Sequence, residues 1–239
     1  MENKIKKIDN FLNDYRPQIT EIRKILIRSL LAFLIGGTLG LIFNRKIILF
    51  VMSRFNLDKV NIVLTSPTQF INLAFRIAIV FGLMATIPVF LFYLLRYVRP
   101  ALKKKEYSLI IKVIPASVFL FIFGSLFGGW IEQFIVTMYS QTTVDFSLNN
   151  VWDIEMFLSQ FLIMSFIMGL VFELPVVLTI LIRFKVITTK ILAQQRRYVY
   201  AALVVLAILL PPTDIVSLSL ITVPLLILFE FTLLLNREI

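Results

Sequence analysis

FIMGLVFELPVVLTILIRF, residues Phe166 to Phe184, is an apolar run of membrane-helix length that carries one carboxylate, Glu173, near its middle, immediately before Leu174 and Pro175. A helix crossing a bilayer needs about 20 apolar residues, because the hydrocarbon is roughly 30 Å thick and each residue rises about 1.5 Å. Six such runs recur along the chain. They predict spans at about 25–49, 70–95, 113–138, 156–182, 198–212 and 215–235, behind an N-terminal arm at 1–24, in one membrane domain covering 1–239. Hydrophobic residues make up 59% of the 239, and 23 are Phe, far more than a soluble core of this size requires. The runs are too long for barrel strands and lack period-two alternation, so the predicted class is an all-α integral membrane protein.

The first run opens with Arg23, Lys24 and Arg28, as a secretory signal would, but it has no small-residue cleavage site and five more runs follow. It reads as a permanent helix. All eight glycines fall inside predicted spans, where small residues let helices approach closely in lipid. Orientation follows from charge. Seven Lys and Arg lie in or just after the arm, six follow span two and five follow span four, whereas the loop between spans three and four has none and holds Asp145, Asp153 and Glu155. Positive loops stay inside, which puts both termini on the cytoplasmic, stromal or matrix side. Arg45, Lys46, Arg54 and Lys59 run against this trend, as four positive charges in the first outside loop. The net charge of +10 follows from topology and attraction to anionic lipid, and no nucleic-acid partner is expected.

The chain has no His and no Cys. This excludes HExxH-type zinc sites, haem ligated by His or Cys, iron–sulfur clusters and catalytic dyads built on imidazole or thiol. Intramembrane aspartyl proteolysis needs two facing Asp residues, and only Asp214 stands near a candidate position; no Gly-rich phosphate loop is present. Neither an enzyme nor a cofactor or metal is expected.

Five blocks carry the remaining signal: ITEIRKILIRSL, then SPTQFINLAFRIAIVFGLMATIPVFLFYLLRYVRPALKKKEYS, then FIMGLVFELPVVLTILIRFKVIT, QQRRYVYAALVVLAILLPPTDIVS and ITVPLLILFE. In this order, on six spans, they resemble the TatC family, the core subunit of the twin-arginine protein translocase, from about Pro17 to Glu230. The resemblance implies a concave, glove-like bundle with short helices five and six. It further implies binding of the twin-arginine signal peptides of folded precursors, work with single-span TatA- and TatB-type subunits and with further copies of itself, and dependence on an energised membrane. That membrane is a bacterial plasma membrane or an organellar one, mitochondrial inner or thylakoid. Glu21 in TEIR and Glu106 in RPALKKKE match the family's signal-peptide acids, Tyr97 an aromatic of that site, and Arg23 the basic residue of the arm motif. Paired carboxylates suit an arginine pair, since each accepts two parallel hydrogen bonds. From the local sequence alone, Glu106 reads equally as a solvated charge among lysines.

Glu173 cannot face lipid cheaply, so it is expected to face a polar cavity or a partner helix. Pro175 has no amide hydrogen and leaves the Val171 carbonyl without its helical donor, which predicts a kink beside a hydrated concavity. An alternative function is a small proton- or cation-coupled transporter using Glu173, although no internal repeat is visible. Tyr198 to Leu210 gives only 13 residues before the turn at Pro211, Pro212 and Asp214, too few to cross a bilayer of ordinary thickness. Four departures from the family pattern stand out: Gln18 where the arm usually has His, Gln69 in SPTQ where SPTE is common, PPTD in place of TPPD, and Leu218 where a polar residue is usual.

Overall fold

In the computed structural model, residues 2–55, 61–63, 65–98, 104–145, 151–210 and 214–237 are described, with side chains described at 19–55, 63, 65–97, 114–142, 151–210 and 214–237. Helix α1 (Glu2–Arg54) runs unbroken through the predicted arm and first span. Arg45, Lys46 and Arg54 are therefore helical, which corrects their placement in an outside loop; Lys59 lies outside the described residues. Long basic side chains can stay on an apolar helix by lying along aromatic neighbours while their charges reach for water. The Lys46 ammonium is 5.4 Å from the Phe43 ring centre, and the Arg54 guanidinium 4.9 Å from that of Phe50.

Helices α2 (Gln69–Val98) and α3 (Lys104–Asp145) follow, and then the predicted fourth span divides into α4 (Ile154–Val171) and α5 (Leu174–Arg183). The division at Phe172 and Glu173 is the expected proline break. The Glu173 amide donates to the Leu170 carbonyl at 3.1 Å, tightening the turn ahead of Pro175. A short α6 (Thr189–Gln194) leads into α7 (Arg196–Ile208) and α8 (Ile215–Leu235). Among the described residues five stretches are long and apolar enough to span a membrane, against the six predicted: Ile19–Arg54, Gln69–Tyr97, Ile114–Thr142, Ile154–Arg183 and Ile215–Leu235. The predicted fifth span is α7, whose 13 residues make about 20 Å of helix.

Close backbone approach fixes two antiparallel pairs. On α1, a Cβ at Gly36 would lie 2.6 Å from the Ala85 Cβ and 2.8 Å from the Phe81 carbonyl of α2. On α3, a Cβ at Gly124 would lie 2.7 Å from the Met168 carbonyl of α4. Only glycine permits such contact, as expected for helices packing in lipid. One buried cluster, including Phe55, Leu73, Ile77 and Leu158, joins α1, α2 and α4, and a second, including Met164, Met168, Ile221 and Leu225, joins α4 to α8. Outward apolar residues such as Ile42, Phe119, Leu126 and Ile227 stay more than 50% exposed, at 67%, 66%, 69% and 61%, a surface suited to hydrocarbon and not to water.

One feature departs from an all-helical chain. β1 (Asn61–Val63) pairs in parallel with β2 (Val151–Asp153), in the register Ile62 to Trp152. Three-residue segments carry no readable periodicity, and their pairing is decided by the helices they join. Asp153 then caps α4, accepting from the Glu155 and Met156 amides at 2.9 and 3.0 Å, from the Thr65 hydroxyl, and from Gln69 Nε2 at 2.5 Å. Gln69 also accepts from the Thr65 amide at 3.0 Å. An amide can do both, whereas a carboxylate at this position could not donate to Asp153, which is a physical reason for SPTQ in this chain. The Thr65 hydroxyl foremost, then the Met156 amide and Gln69, hold the Asp153 carboxyl down at about 2. Arg76 of α2 and Glu155 of α4, 3.3 Å apart, tie the same corner.

Candidate functional site

Because α1 and α2 are antiparallel, the start of the first span meets the end of the second. There a cavity of about 170 Å³ is lined by Glu21, Lys24 and Arg28 of α1 and Tyr93, Arg96 and Tyr97 of α2. The spacing on each helix, three and four residues apart, puts each set on one face. Arg28 lies over the Tyr93 ring, 4.5 Å from its centre. Two of the predicted site residues, Glu21 and Tyr97, thus come together. Arg23 is exposed on α1 and does not line this cavity. The side chain of Glu106 lies outside the described residues, although its backbone belongs to the first turn of α3. Lys24, Arg28, Tyr93 and Arg96 were not among the predicted site residues, yet their spacing relative to Glu21 and Tyr97 was a usable signal.

Glu173 is 3% exposed, between α4 and α5 and against α3, where Ser117 Oγ donates to its Oε1 at 2.8 Å. Its Oε2 has no partner among the described residues. Beside the break at Pro175 the carboxylate thus faces α3 across a packed helix interface. Pro175 itself is buried. A second intramembrane carboxylate escaped the sequence reading. Glu132 of α3 is 1% exposed, bonded to Gln160 of α4, with Oε2 unpartnered among the described residues. A lone acid inside the third apolar run was as legible as Glu173.

Of the predicted hairpin turn, Pro211 and Pro212 lie outside the described residues. Asp214 caps α8, accepting from the Ser217 amide at 2.9 Å, and takes the Tyr139 hydroxyl of α3 at 2.6 Å. Burial opposes its ionisation, but the Ser217 and Tyr139 donors outweigh that and hold the carboxyl below its ordinary value. At the other end of α7 and α8, Glu230 accepts from the Tyr200 hydroxyl and pairs with Arg196 at 3.0 Å. Among the described residues no cluster of acids, His or Cys could hold a metal.

A family model for the Sec-independent protein translocase protein (TatC) matches residues 18–224. The chain is 31% identical over 220 residues to the Sec-independent protein translocase protein TatCy of Bacillus subtilis (strain 168), covering 92% of this chain and 87% of that one. It is 29% identical over 228 residues to the Sec-independent protein translocase protein TatC of Aquifex aeolicus (strain VF5), covering 92% of each. A crystal structure of the twin arginine translocase receptor TatC superposes with a TM-score of 0.79 at 27% identity, over 92% of this chain and 98% of that one. With its long apolar helices and its match over most of its length, this chain belongs to the TatC family, multi-pass integral membrane proteins of Sec-independent protein translocation, a non-enzymatic transport family.

Proposed function

We propose that this chain is the receptor and scaffold subunit of a twin-arginine translocase, binding twin-arginine signal peptides at the shared end of α1 and α2. It works as one membrane domain of six spans, counting the short α7 as the fifth, with both termini on the cytoplasmic, stromal or matrix side and a concave face. Single-span TatA- and TatB-type subunits and further copies of the chain are its partners, and an energised membrane drives passage of the folded precursor.

The observation that supports this reading is the meeting of Glu21 and Tyr97, from distant blocks of sequence, on one cavity. A carboxylate accepts the paired hydrogen bonds of a guanidinium, and an aromatic ring takes the cation on its face. Lys24, Arg28 and Arg96 crowd the same space, so Glu21 is the single acid among the described lining residues. Glu106 supplies the second carboxylate in this proposal and Arg23 orients the arm.

The test is photocrosslinking of a twin-arginine precursor to membranes carrying the natural chain, Glu21→Gln or Glu106→Gln, with a Lys-Lys precursor as control. Loss of one charge-assisted contact, worth about 1.5 to 3 kcal/mol, predicts roughly ten- to hundredfold weaker binding with normal membrane insertion. Unchanged crosslinking in both variants overturns the assignment.

A further inference from the structure

A second basic cavity, of about 490 Å³, lies where α6 and the start of α7 meet the end of α8. Thr189, Lys190 and Arg196 line it from one side, and Leu233, Leu234 and Arg237 from the other. Arg196 is tied to Glu230 at 3.0 Å. Neither Lys190 nor Arg237 has an acidic partner among the described residues, and the chain from Leu174 to Thr213 contains no Asp or Glu at all. Three cations against Glu230 leave an excess of two positive charges at the cavity; Glu238 lies outside the described residues.

Position decides what such a cavity can hold. The apolar run of α8 ends at Leu235, two residues before Arg237, so the cavity sits at the level where hydrocarbon gives way to headgroups. Leu234 is 64% exposed beside it and Leu233 is buried. A site for a free anion has no need of an aliphatic wall, and a groove for a lipid chain alone has no need of three cations. An amphiphile with a negative head satisfies both walls at once.

We propose that this cavity binds the phosphate headgroup of an anionic phospholipid. Lys190 and Arg237 meet the phosphodiester, Thr189 donates a hydrogen bond, and Leu234 contacts the upper part of an acyl chain. Basic residues just beyond a span are attracted to an anionic leaflet, and a pocket between helices converts that diffuse attraction into a site. The site is separate from the α1–α2 cavity and stands whether or not that cavity receives signal peptides.

The experiment uses the full chain, delipidated in detergent and titrated with phosphatidylglycerol or with phosphatidylcholine of the same acyl chains. Native mass spectrometry counts retained lipid, and thermal unfolding reads stabilisation. Phosphatidylglycerol is expected to be retained and to raise the unfolding temperature, while phosphatidylcholine does neither. The double variant Lys190→Gln, Arg237→Gln is expected to bind phosphatidylglycerol on the order of tenfold more weakly or worse. Lys190→Gln alone, at an exposed position, is expected to give an intermediate loss and keeps the test valid if the double variant does not fold. Lys46→Gln, on another part of the surface, is expected to leave binding unchanged. Equal retention by Lys190→Gln and the natural chain, an equal response to phosphatidylcholine, or the same stabilisation from inorganic phosphate would each overturn the proposal.

Discussion

Replacing Gly128 with Ala adds one methyl group to the α3–α4 interface, and the structure says where it goes. The new Cβ would stand 2.7 Å from the Met168 Cβ and 2.8 Å from the Met164 carbonyl, where ordinary contact begins at 3.4 Å. The shortfalls are 3.4 − 2.7 = 0.7 Å and 3.4 − 2.8 = 0.6 Å. Met164 and Met168 are both 0% exposed and the obstructing atoms sit on or next to the backbone, so the helices must separate. Overpacking of this kind costs about 1 to 3 kcal/mol, against about 1 kcal/mol gained because Ala favours a helix over Gly. Gly129 supplies the control. A Cβ there meets the tip of the Phe161 ring at 3.1 Å and Ser165 Oγ at 3.2 Å, side-chain ends that can turn aside. The helix gain is then left largely uncancelled. Thermal unfolding in detergent, followed by the fluorescence of Trp130 and Trp152, compares the two. Since 1 kcal/mol moves the midpoint by about 2 to 4 °C at this size, Gly128→Ala should melt roughly 2 to 12 °C below Gly129→Ala. A Gly128→Ala midpoint equal to or above that of Gly129→Ala refutes the packing argument.

Further outcomes follow from the polar groups. Glu173→Gln keeps an acceptor for Ser117 and should retain substantial export of a folded reporter, whereas Glu173→Leu leaves that hydroxyl unpaired and should block export after precursor binding. Solute-coupled proton flux abolished by Glu173→Gln, with export intact, points instead to the transporter alternative. Asp153 has a carboxyl depressed to about 2, so its contribution is fully present above about 4, where the unfolded group ionises, and is lost as pH falls from there towards 2. Asp153→Asn should therefore flatten the fall of unfolding temperature across that window, and an unchanged acid profile contradicts the hydrogen-bond assignment. Gln69→Glu places a second carboxylate beside Asp153 in place of a donor and should lower the unfolding temperature at pH 7 more than at pH 4. Equal losses at the two pH values count against that repulsion.

The sequence determined what local physics controls. Apolar length placed α2 over the predicted 70–95 and α8 over 215–235, and Pro175 located the break at Phe172 and Glu173, because length and a missing amide hydrogen act within one segment. Family motifs named Glu21 and Tyr97. What neighbours what was decided by tertiary structure alone: that Glu173 meets Ser117, that Gln69 serves Asp153, that Arg28 covers Tyr93, and that Glu132 is hidden against α4. The reason lies in the solvent. A soluble helix shows its buried face by contrast with a polar one, but a helix in lipid is apolar on both, so its rotation is set by where glycine lets a neighbouring backbone approach. Gly36 against Ala85 and Gly124 against Met168 are contacts of that kind, and they exist only once the helices have paired.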